Sequence, residues 1–328
     1  MSMSAVAREA GLSVSTVSRF IRGELRINAE TEARIRAAME TVGYEQSHVR
    51  TRTVGLIVPD LANPYFSQLV QVIADVARGR GMEMLVLVSG GLEHREDELV
   101  RRCAASSEVD GVVLISMTGS TAVLAHRPAR LPLVVLDERV EESGSETCPY
   151  VGADNFEGAY QATTFLLARG HRRIAHAAGP AGLVSARDRM RGYREALADA
   201  GVHVDPALVL EGPYSEAFGA SALPQLMRRA ERPTAVFAAS DIVAIGIAAA
   251  APMVGVRIPE DLSLIGFDGI DVGAWLTPRL TTVVQPLAEL ARGALDALEA
   301  ESGASGAGSL LVPMQVRIAE SVARPANA

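Results

Sequence analysis

The sequence contains few of the residues that build disulfide frameworks or aromatic cores. Its two cysteines, Cys103 and Cys148, are too few for a disulfide scaffold, and their spacing fits no metal-ligand motif. Aromatic residues make up 4% of the chain and hydrophobic residues 48%, so we expect sizeable cores built from aliphatic side chains and alanine. A length of 328 residues allows two or three domains.

No stretch of the sequence is typical of secretion or of membrane insertion. The N-terminus lacks the apolar run of a signal peptide. The uncharged stretch at residues 242–256 is too short to cross a bilayer and contains Pro252. We therefore expect a cytoplasmic protein that has no membrane partner.

Signatures of catalysis and of cofactor binding are also missing. The sequence has no phosphate-binding GxxxxGKS/T pattern and no dinucleotide-binding glycine fingerprint. Ser185 and Ser240 have no neighbouring histidine with an obvious catalytic role. His171 and His176 lie on either side of a predicted strand start and are interpreted as structural histidines. We therefore expect a protein that is not an enzyme and that has no cofactor and no metal ion.

Lysine is absent, and the charge is distributed unevenly along the chain. All 31 basic residues are arginines, and the net charge of −8, taken alone, argues against a nucleic-acid partner. Residues 1–52, however, contain eight arginines against six glutamates, whereas the remainder contains 23 arginines against 33 acidic residues. A weakly basic head therefore precedes an acidic body, although neutralisation of DNA phosphates would favour a more basic head.

The N-terminal region predicts three short helices. The first, over residues 6–10, can be closed by Gly11 in the left-handed conformation, and Ser13 can cap the second. A turn this short makes the two helices cross steeply. This is the helix-turn-helix arrangement, whose second helix is narrow enough to enter a major groove. Asn28 can cap the third helix, and Gly43 can close it.

Two segments of this region, AVAREAGLSVSTVSRFIRG and INAETEARIRAAMETVGY, match a known pattern. They resemble the DNA-binding head of the LacI/GalR family of bacterial repressors. The resemblance implies that a homodimer, or a tetramer, binds a near-palindromic operator. Val14, Ser15 and Arg19 would then contact bases, and Thr16 and Ser18 would lie nearer to phosphates. The implied DNA-binding residues are Val14, Ser15, Thr16, Ser18, Arg19 and Arg22, the last in place of an asparagine that is common in the family.

The interval between the head and the body departs from the family pattern. The predicted hinge, residues 47–53, is shorter than in the family and contains no leucine that could wedge into the minor groove. The ten residues from Glu45 to Val54 span at most about 33 Å when extended, which tethers a head but leaves little length for a hinge helix. We therefore expect weaker and less bent operator binding, or partial loss of operator control.

From Val54 onward, short apolar strands alternate with helices. Apolar runs of this kind are typical of parallel strands that helices cover on both faces. Because about 270 residues are too many for one such sheet, we expect two α/β lobes, each with a doubly wound parallel sheet. The apolar runs cover residues 54–58, 84–88, 112–115, 133–136, 174–177, 235–238 and 262–267, and the predicted helices cover residues 64–80, 155–169, 186–200, 242–254 and 286–301.

The body resembles the periplasmic-binding-protein-like effector domain of the same family over nearly its whole length. The matching segments include VGLIVPDLANPYF, SARDRMRGYREAL and IPEDLSLIGFDGIDVGAWLTPRLTTV. The family fold has two lobes, and ligands bind between them at the carboxyl ends of the strands. The implied domains are a head of residues 1–46 and an effector and dimerisation domain of residues 54–328, with lobe 1 at 54–154 and 284–309 and lobe 2 at 155–283 and 310–328.

Several side chains at the predicted strand ends indicate an effector site in this cleft. Asp268 suits two adjacent sugar hydroxyls, and the forked donors of Arg189 suit ring or hydroxyl oxygens. The aromatic candidates can stack on a sugar or a purine, or can pack in the core. The implied effector-binding residues are Tyr65, Phe66, Asp137, Arg189, Tyr214, Ser240 and Asp268.

Two of these positions depart from the family. Asp137 is followed by Glu138 and Arg139 where pentose-binding relatives have Asp-Arg, so the ligand arginine is replaced by glutamate or displaced by one position. Ser240 occupies a position where asparagine is common, so its contact is lost or mediated by water. Trp275 is expected to pack near the crossing between the lobes. The effector is expected to be a sugar or related polyol, with a purine or nucleoside as second choice.

The combined prediction is a transcriptional regulator, most simply a repressor, that is controlled by a small molecule bound between two lobes. Its coupling is the differential affinity of the effector for two conformations. The alternative is an effector-binding protein of the same fold that has lost operator control with its hinge helix. A transport-type binding protein is disfavoured by the presence of the head.

Overall fold

The computed structural model divides into two compact units, Met1–Thr51 and Arg52–Ala328. It describes residues 3–21, 25, 27–42, 52–118, 124, 131–140, 148–301 and 309–325. Residues 47–51 of the predicted hinge, Gly43 and Arg22 lie outside the described residues. Residues 52 and 53, which were assigned to the hinge, instead begin the first strand of the larger unit.

In its described residues, the head contains three helices around a small apolar core. The predicted caps are confirmed, because the Ser13 hydroxyl accepts the Thr16 amide at 3.1 Å and the Asn28 side chain accepts the Thr31 amide at 2.9 Å. Gly11 closes the first helix with φ +63°. The helices are α1 (Met3–Glu9), α2 (Val14–Ile21) and α3 (Ala29–Val42), and the buried core side chains are Val6, Ala7, Ala10, Val17, Ile35 and Ala38.

The first lobe of the larger unit contains a six-stranded parallel sheet with strand order β11-β5-β4-β3-β1-β2. Its central strands are buried on both faces, as their continuous apolar runs predict. The strands are β1 (Arg52–Val58), β2 (Met82–Val88), β3 (Val109–Leu114), β4 (Leu133–Leu136), β5 (Tyr150–Ala153) and β11 (Leu310–Val312), and the helices are α4 (Pro64–Gly79), α5 (Glu93–Ala105) and α10 (Leu287–Glu301).

The second lobe contains a second six-stranded sheet with strand order β12-β10-β9-β8-β6-β7. All of its strand pairs are parallel except that between β10 and β12. The predicted two-lobed α/β fold is thereby confirmed. The strands are β6 (Ile174–Ala178), β7 (Val209–Glu211), β8 (Ala235–Ala238), β9 (Ser263–Asp268), β10 (Thr281–Val284) and β12 (Gln315–Arg317), and the helices are α6 (Asn155–Ala168), α7 (Val184–Asp199), α8 (Glu216–Met227) and α9 (Asp241–Ala250).

Over its described residues, the larger unit crosses between the lobes three times. The crossings follow β5, β10 and β11. The expected third boundary, between residues 309 and 310, is wrong, because Leu310 pairs with Val151 and β11 therefore belongs to the first sheet. A strand of three residues with two exposed leucines shows no alternation from which its sheet could be inferred.

Several smaller expectations are also decided by the fold. His176 is stacked between the rings of Tyr193 and Phe237, at 4.9 and 4.6 Å, which confirms it as a structural histidine. His171 is held by the Thr234 hydroxyl and a backbone carbonyl. The prediction for Trp275 is wrong, because this side chain is 78% exposed. No helix in the described parts of the chain is long and apolar enough to cross a membrane.

Candidate effector site and DNA-binding head

Two aspartates with strained backbones lie at the ends of strands, one in each lobe. Asp137 follows β4 in the first lobe with φ +73°, and Asp268 ends β9 in the second with φ +111°. Residues other than glycine seldom adopt positive φ, and those that do cluster at functional sites, where the surrounding structure maintains the strain. The backbone therefore marks both predicted strand ends as candidate positions for a ligand.

Arg189 forms the centre of the site. Its guanidinium Nη1 lies 3.5 Å from Asp268 Oδ1, and its Nε donates to Asn155 Oδ1 at 2.8 Å. Nη1 also donates to the Ala239 carbonyl, and the guanidinium lies 3.9 Å from the ring centroid of Phe267. This side chain is only 5% exposed, so its charge is fixed in place by a carboxylate, an amide and an aromatic face.

Ser240 contacts Asp268 directly. The Ser240 hydroxyl donates to Asp268 Oδ2 at 2.6 Å, and Gln285 Nε2 lies 3.5 Å from Asp268 Oδ1. Burial raises the pKa of Asp268, which Arg189 opposes. The expectation for Ser240 was a lost or water-mediated ligand contact, and the structure assigns its hydroxyl to orienting the Asp268 carboxylate instead.

Asp241, which contacts the loop that follows Asp268, was not identified from the sequence. Its carboxylate accepts the amides of Gly269 and Ile270 at 2.8 and 2.9 Å and the hydroxyl of Thr282 at 2.6 Å. A Cβ at Gly266 would lie 2.1 Å from Asp241 Oδ1, so only glycine fits there. Asp241 therefore fixes the loop that follows the strained Asp268.

The first lobe contributes Tyr65 and Asp137. The Tyr65 hydroxyl donates to Asp137 Oδ1 at 2.5 Å, and the Tyr150 hydroxyl donates to the Asp137 carbonyl at 3.0 Å. Burial raises the pKa of Asp137 to about 6. Phe66 is 4% exposed and belongs to the apolar core of the first lobe, which supports core packing as its role over ligand stacking.

Tyr214 offers an aromatic ring and a polar atom to the site. Its ring centroid lies 5.5 Å from the Arg189 guanidinium, and burial raises its pKa to about 12. The Ser185 side chain is near enough to lower that pKa, yet no hydrogen bond reaches the buried Tyr214 hydroxyl from the described residues. Gln285 Oε1 is likewise unpartnered among them. Because buried polar atoms are usually satisfied, these two are suited to a ligand.

Glu138 was missed as a site residue, although its departure from the family pattern was visible. Its side chain is 2% exposed, and its carboxylate accepts the Val184 amide at 2.6 Å, the Ser185 amide at 3.2 Å and the Ser185 hydroxyl. Arg139, in contrast, is exposed, with its guanidinium 5.6 Å from the Tyr150 ring centroid. The arginine of the family pattern is thus displaced by one position to the exposed Arg139, and Glu138 occupies the buried position.

In the head, α2 presents most of the predicted DNA-binding side chains. Val14 is 46% exposed, Ser15 and Arg19 are exposed, and Thr16 and Ser18 are half-buried. The Ser13 hydroxyl lies 2.9 Å from that of Ser15 and 2.7 Å from that of Thr16. The start of α2 therefore carries linked hydroxyl groups. The sixth predicted residue, Arg22, lies outside the described residues.

Both parts of the chain match known families. Residues 2–47 match the family described as bacterial regulatory proteins, lacI family, and residues 51–299 match periplasmic binding proteins and sugar binding domain of LacI family. The chain belongs to the LacI family. It is a transcriptional regulator that has a DNA-binding head and a two-lobed domain controlled by a small-molecule effector. The alternative without operator control is not favoured, since the similarity extends through the head.

Curated relatives and a solved structure share this organisation. The HTH-type transcriptional repressor CytR of Escherichia coli (strain K12) is 32% identical over 318 residues, covering 93% of this chain and 92% of that protein. The ribose operon repressor of Halalkalibacterium halodurans is 33% identical over 292 residues, covering 87% and 85%. A transcriptional regulator CelR–cellobiose complex superposes with a TM-score of 0.73 at 30% identity, covering 98% of this chain and 99% of that chain.

Proposed function

We propose that this LacI-family member is a cytoplasmic repressor whose effector is a neutral sugar or polyol that binds between the lobes against the Arg189–Asp268 pair. The observation that carries the proposal is the buried arginine–aspartate pair at the carboxyl ends of the strands. A carboxylate accepts from two adjacent hydroxyls, and a guanidinium donates to their oxygens. The similarity to a ribose operon repressor and to a regulator that binds cellobiose supports a sugar.

The remaining effector contacts follow from the groups around this pair. Asp137, fixed by Tyr65, faces the site from the first lobe, and the Tyr214 hydroxyl and Gln285 Oε1 supply further polar atoms. The Tyr214 ring provides an apolar surface for a sugar face or for the base of a nucleoside, which remains the second candidate. In this proposal Ser240 orients the Asp268 carboxylate and Phe66 packs in the core of the first lobe, so neither contacts the effector directly.

A thermal-shift screen of ribose, glucose, cellobiose, cytidine and adenosine tests this proposal. A binding sugar is expected to raise the melting temperature of the wild type and to have no effect on Asp268→Ala or Arg189→Ala. Arg187→Ala and Asp271→Ala are matched controls, because both side chains are exposed. A shift that persists in both site variants would show that the effector binds elsewhere.

The head is proposed to contact operator DNA through α2. Val14, Ser15 and Arg19 would contact base edges, and Thr16, Ser18 and Arg22 would contact phosphates. Arg19→Ala is expected to lower affinity for an operator selected from random DNA by about 10- to 100-fold more than for random DNA itself. Arg36→Ala, which removes an exposed arginine paired with Glu32 on α3, is the control and should not change the ratio of the two affinities, because any phosphate contact it removes weakens both DNAs alike. Equal losses on both DNAs would contradict base contact by Arg19.

A homodimer would match a near-palindromic operator. The edge strand β2 carries three exposed apolar side chains, Leu85, Val86 and Val88, which are suited to a second copy of the chain. Leu85→Arg is expected to yield monomers in size-exclusion chromatography with light scattering, whereas Ile318→Arg, at a 61% exposed position of the second lobe, should remain dimeric. A tetramer, or a dimer that survives Leu85→Arg, would exclude β2 as the sole contact.

A further inference from the structure

Glu138 joins the two lobes across the cleft. It follows β4 in the first lobe, whereas all three of its hydrogen-bond donors belong to the start of α7 in the second lobe. Val184 and Ser185 donate through their amides, and Ser185 also donates through its hydroxyl. The contact therefore exists only while the lobes are close together.

The helix that Glu138 meets has no cap of its own. The residue before α7 is Leu183, which provides no side-chain hydrogen bond to the first turn. The first amides of a helix lack partners within the helix, and a negative charge near them is stabilising. A neighbouring helix in the same lobe, α8, is capped by its own Ser215, which accepts the Phe218 amide at 3.2 Å. The carboxylate that α7 lacks locally is thus supplied by the other lobe.

The geometry separates Glu138 from the effector groups. Both carboxylate oxygens of Glu138 are taken by donors from α7, and neither is among the unpartnered polar atoms of the described residues. The groups that face the ligand position are instead Arg189, Asp268 and Tyr214. Glu138 can therefore act on the lobes without contacting the effector.

We propose that Glu138 is an inter-lobe latch, which caps α7 only when the lobes are together and so favours the closed form of the effector domain. A latch of this kind is intrinsic to the chain and populates the closed form before an effector binds. The consequence for the effector rests on the proposed function, because affinity scales with the fraction of binding-competent protein. Loss of the latch should then weaken every ligand of the cleft by the same factor.

Three variants separate a latch from a simple structural role. Glu138→Ala removes all three contacts. Glu138→Gln retains an oxygen that accepts the α7 amides and supplies an NH₂ group that donates to the Ser185 hydroxyl, so it should rescue the latch. Glu216→Ala is the matched control, because Glu216 is an exposed acid in the first turn of α8, which carries its own cap.

Amide hydrogen exchange and small-angle X-ray scattering of the full-length protein without any effector provide the test. Exchange at the start of α7 reports on the contact to Glu138, and the radius of gyration reports on the separation of the lobes. Glu138→Ala is expected to speed exchange of the Val184 and Ser185 amides by about tenfold, as an opening equilibrium that shifts by that factor requires, and to raise the radius of gyration. Glu138→Gln and Glu216→Ala should match the wild type.

The outcomes distinguish the latch from its alternatives. Faster exchange at the start of α7 with an unchanged radius of gyration would show that Glu138 is only a helix cap. Unchanged exchange in Glu138→Ala would show that Glu138 does not hold the lobes together. Either result overturns the proposal. Because no ligand is used, these results do not depend on the effector assignment. A responsive latch in a protein that binds none of the screened sugars or nucleosides would refute the proposed effector alone.

Discussion

Lowering the pH from 8 to 6 is expected to stabilise the folded effector domain through Glu138. Burial raises the pKa of this carboxyl from 4.5 to about 7, against the hydrogen bonds from Ser185 and Val184 and with support from Asp137. The folded chain therefore binds the proton more tightly than the unfolded chain. The resulting stabilisation is fully present below pH 4.5 and is lost as the pH rises through about 7.

The expected magnitude follows from these two pKa values. Between pH 8 and pH 6 the free energy of unfolding rises by about 1 kcal/mol from Glu138. Asp137 acts in the same direction, because burial raises its pKa to about 6. His176 acts in the opposite direction, because burial lowers its pKa to about 4 and the unfolded chain takes up that proton first. The pH dependence of the wild type alone therefore does not isolate Glu138.

The difference in pH-dependent stability between the wild type and Glu138→Gln isolates the contribution of Glu138. Glutamine keeps the hydrogen bonds to α7 but does not titrate. The charged and titratable neighbours, Asp137 and Arg139 at the same strand end, Asp188 on α7, and Tyr150 and Tyr214, are present in both proteins.

Urea unfolding at pH 6, 7 and 8 at constant ionic strength measures the free energy of unfolding of both proteins. The wild type should gain about 1 kcal/mol over the variant between pH 8 and pH 6. Equal pH dependence in the two proteins would refute the argument that Glu138 takes up a proton in this range.

Three further predictions concern the support of the site, the packing of the second lobe and the hinge. Asp241→Ala should lower the free energy of unfolding by about 3–5 kcal/mol in urea, because the part-buried Gly269 amide, the buried Ile270 amide and the buried Thr282 hydroxyl lose their acceptor; a loss below about 1 kcal/mol would contradict this. Gly192→Ala should destabilise the second lobe by at least about 2 kcal/mol in the same assay, because its Cβ would lie 2.3 Å from a backbone oxygen of α6; unchanged stability would show that α6 and α7 separate easily. Circular-permutation gel shifts should show little operator bending, since the short hinge lacks a leucine wedge, and a strong bend would refute that inference.

Much of the fold could be predicted because its strands are fully buried. The run at residues 133–136 coincides with β4, whose four residues are all buried, so hydrophobicity alone marks it. β5 was not predicted, because its residues do not form a continuous aliphatic run: it includes Gly152, against which the Tyr150 ring packs. α5 was not predicted either, because Glu93–Ala105 is rich in charge and shows only a narrow apolar face.

The site was predictable where a residue ends a strand and unpredictable where a contact joins the lobes. Asp268 and Arg189 stand at positions that the family resemblance identifies, and the structure brings them together. The partner of Glu138 lies 47 residues away in sequence and in another lobe, and no local pattern connects them. Asp241 is similar, because its three donors come from segments that meet it only after folding. Long-range polar contacts of this kind join segments that are distant in sequence, and no local sequence pattern describes them.

The charges in the cleft predict that its ligand is neutral and not an anion. Asp137 and Asp268 face a single guanidinium, that of Arg189, and all three groups are largely withdrawn from water. Arg189 is already engaged by Asp268, Asn155 and the Ala239 carbonyl, so little of its charge remains for an anion. Burying a phosphate beside two carboxylates carries repulsion in addition to desolvation.

Isothermal titration with ribose and ribose 5-phosphate at pH 8, where Asp137 is ionised, measures this discrimination. The neutral sugar is expected to bind at least about tenfold more tightly, since its hydroxyls supply donors that the carboxylates lack, and Asp137→Asn should narrow the gap by removing one negative charge. Glu216→Gln removes a charge from the exposed start of α8 and should leave the ratio unchanged. Tighter binding of the phosphorylated sugar would mean that the acidic groups do not select the effector.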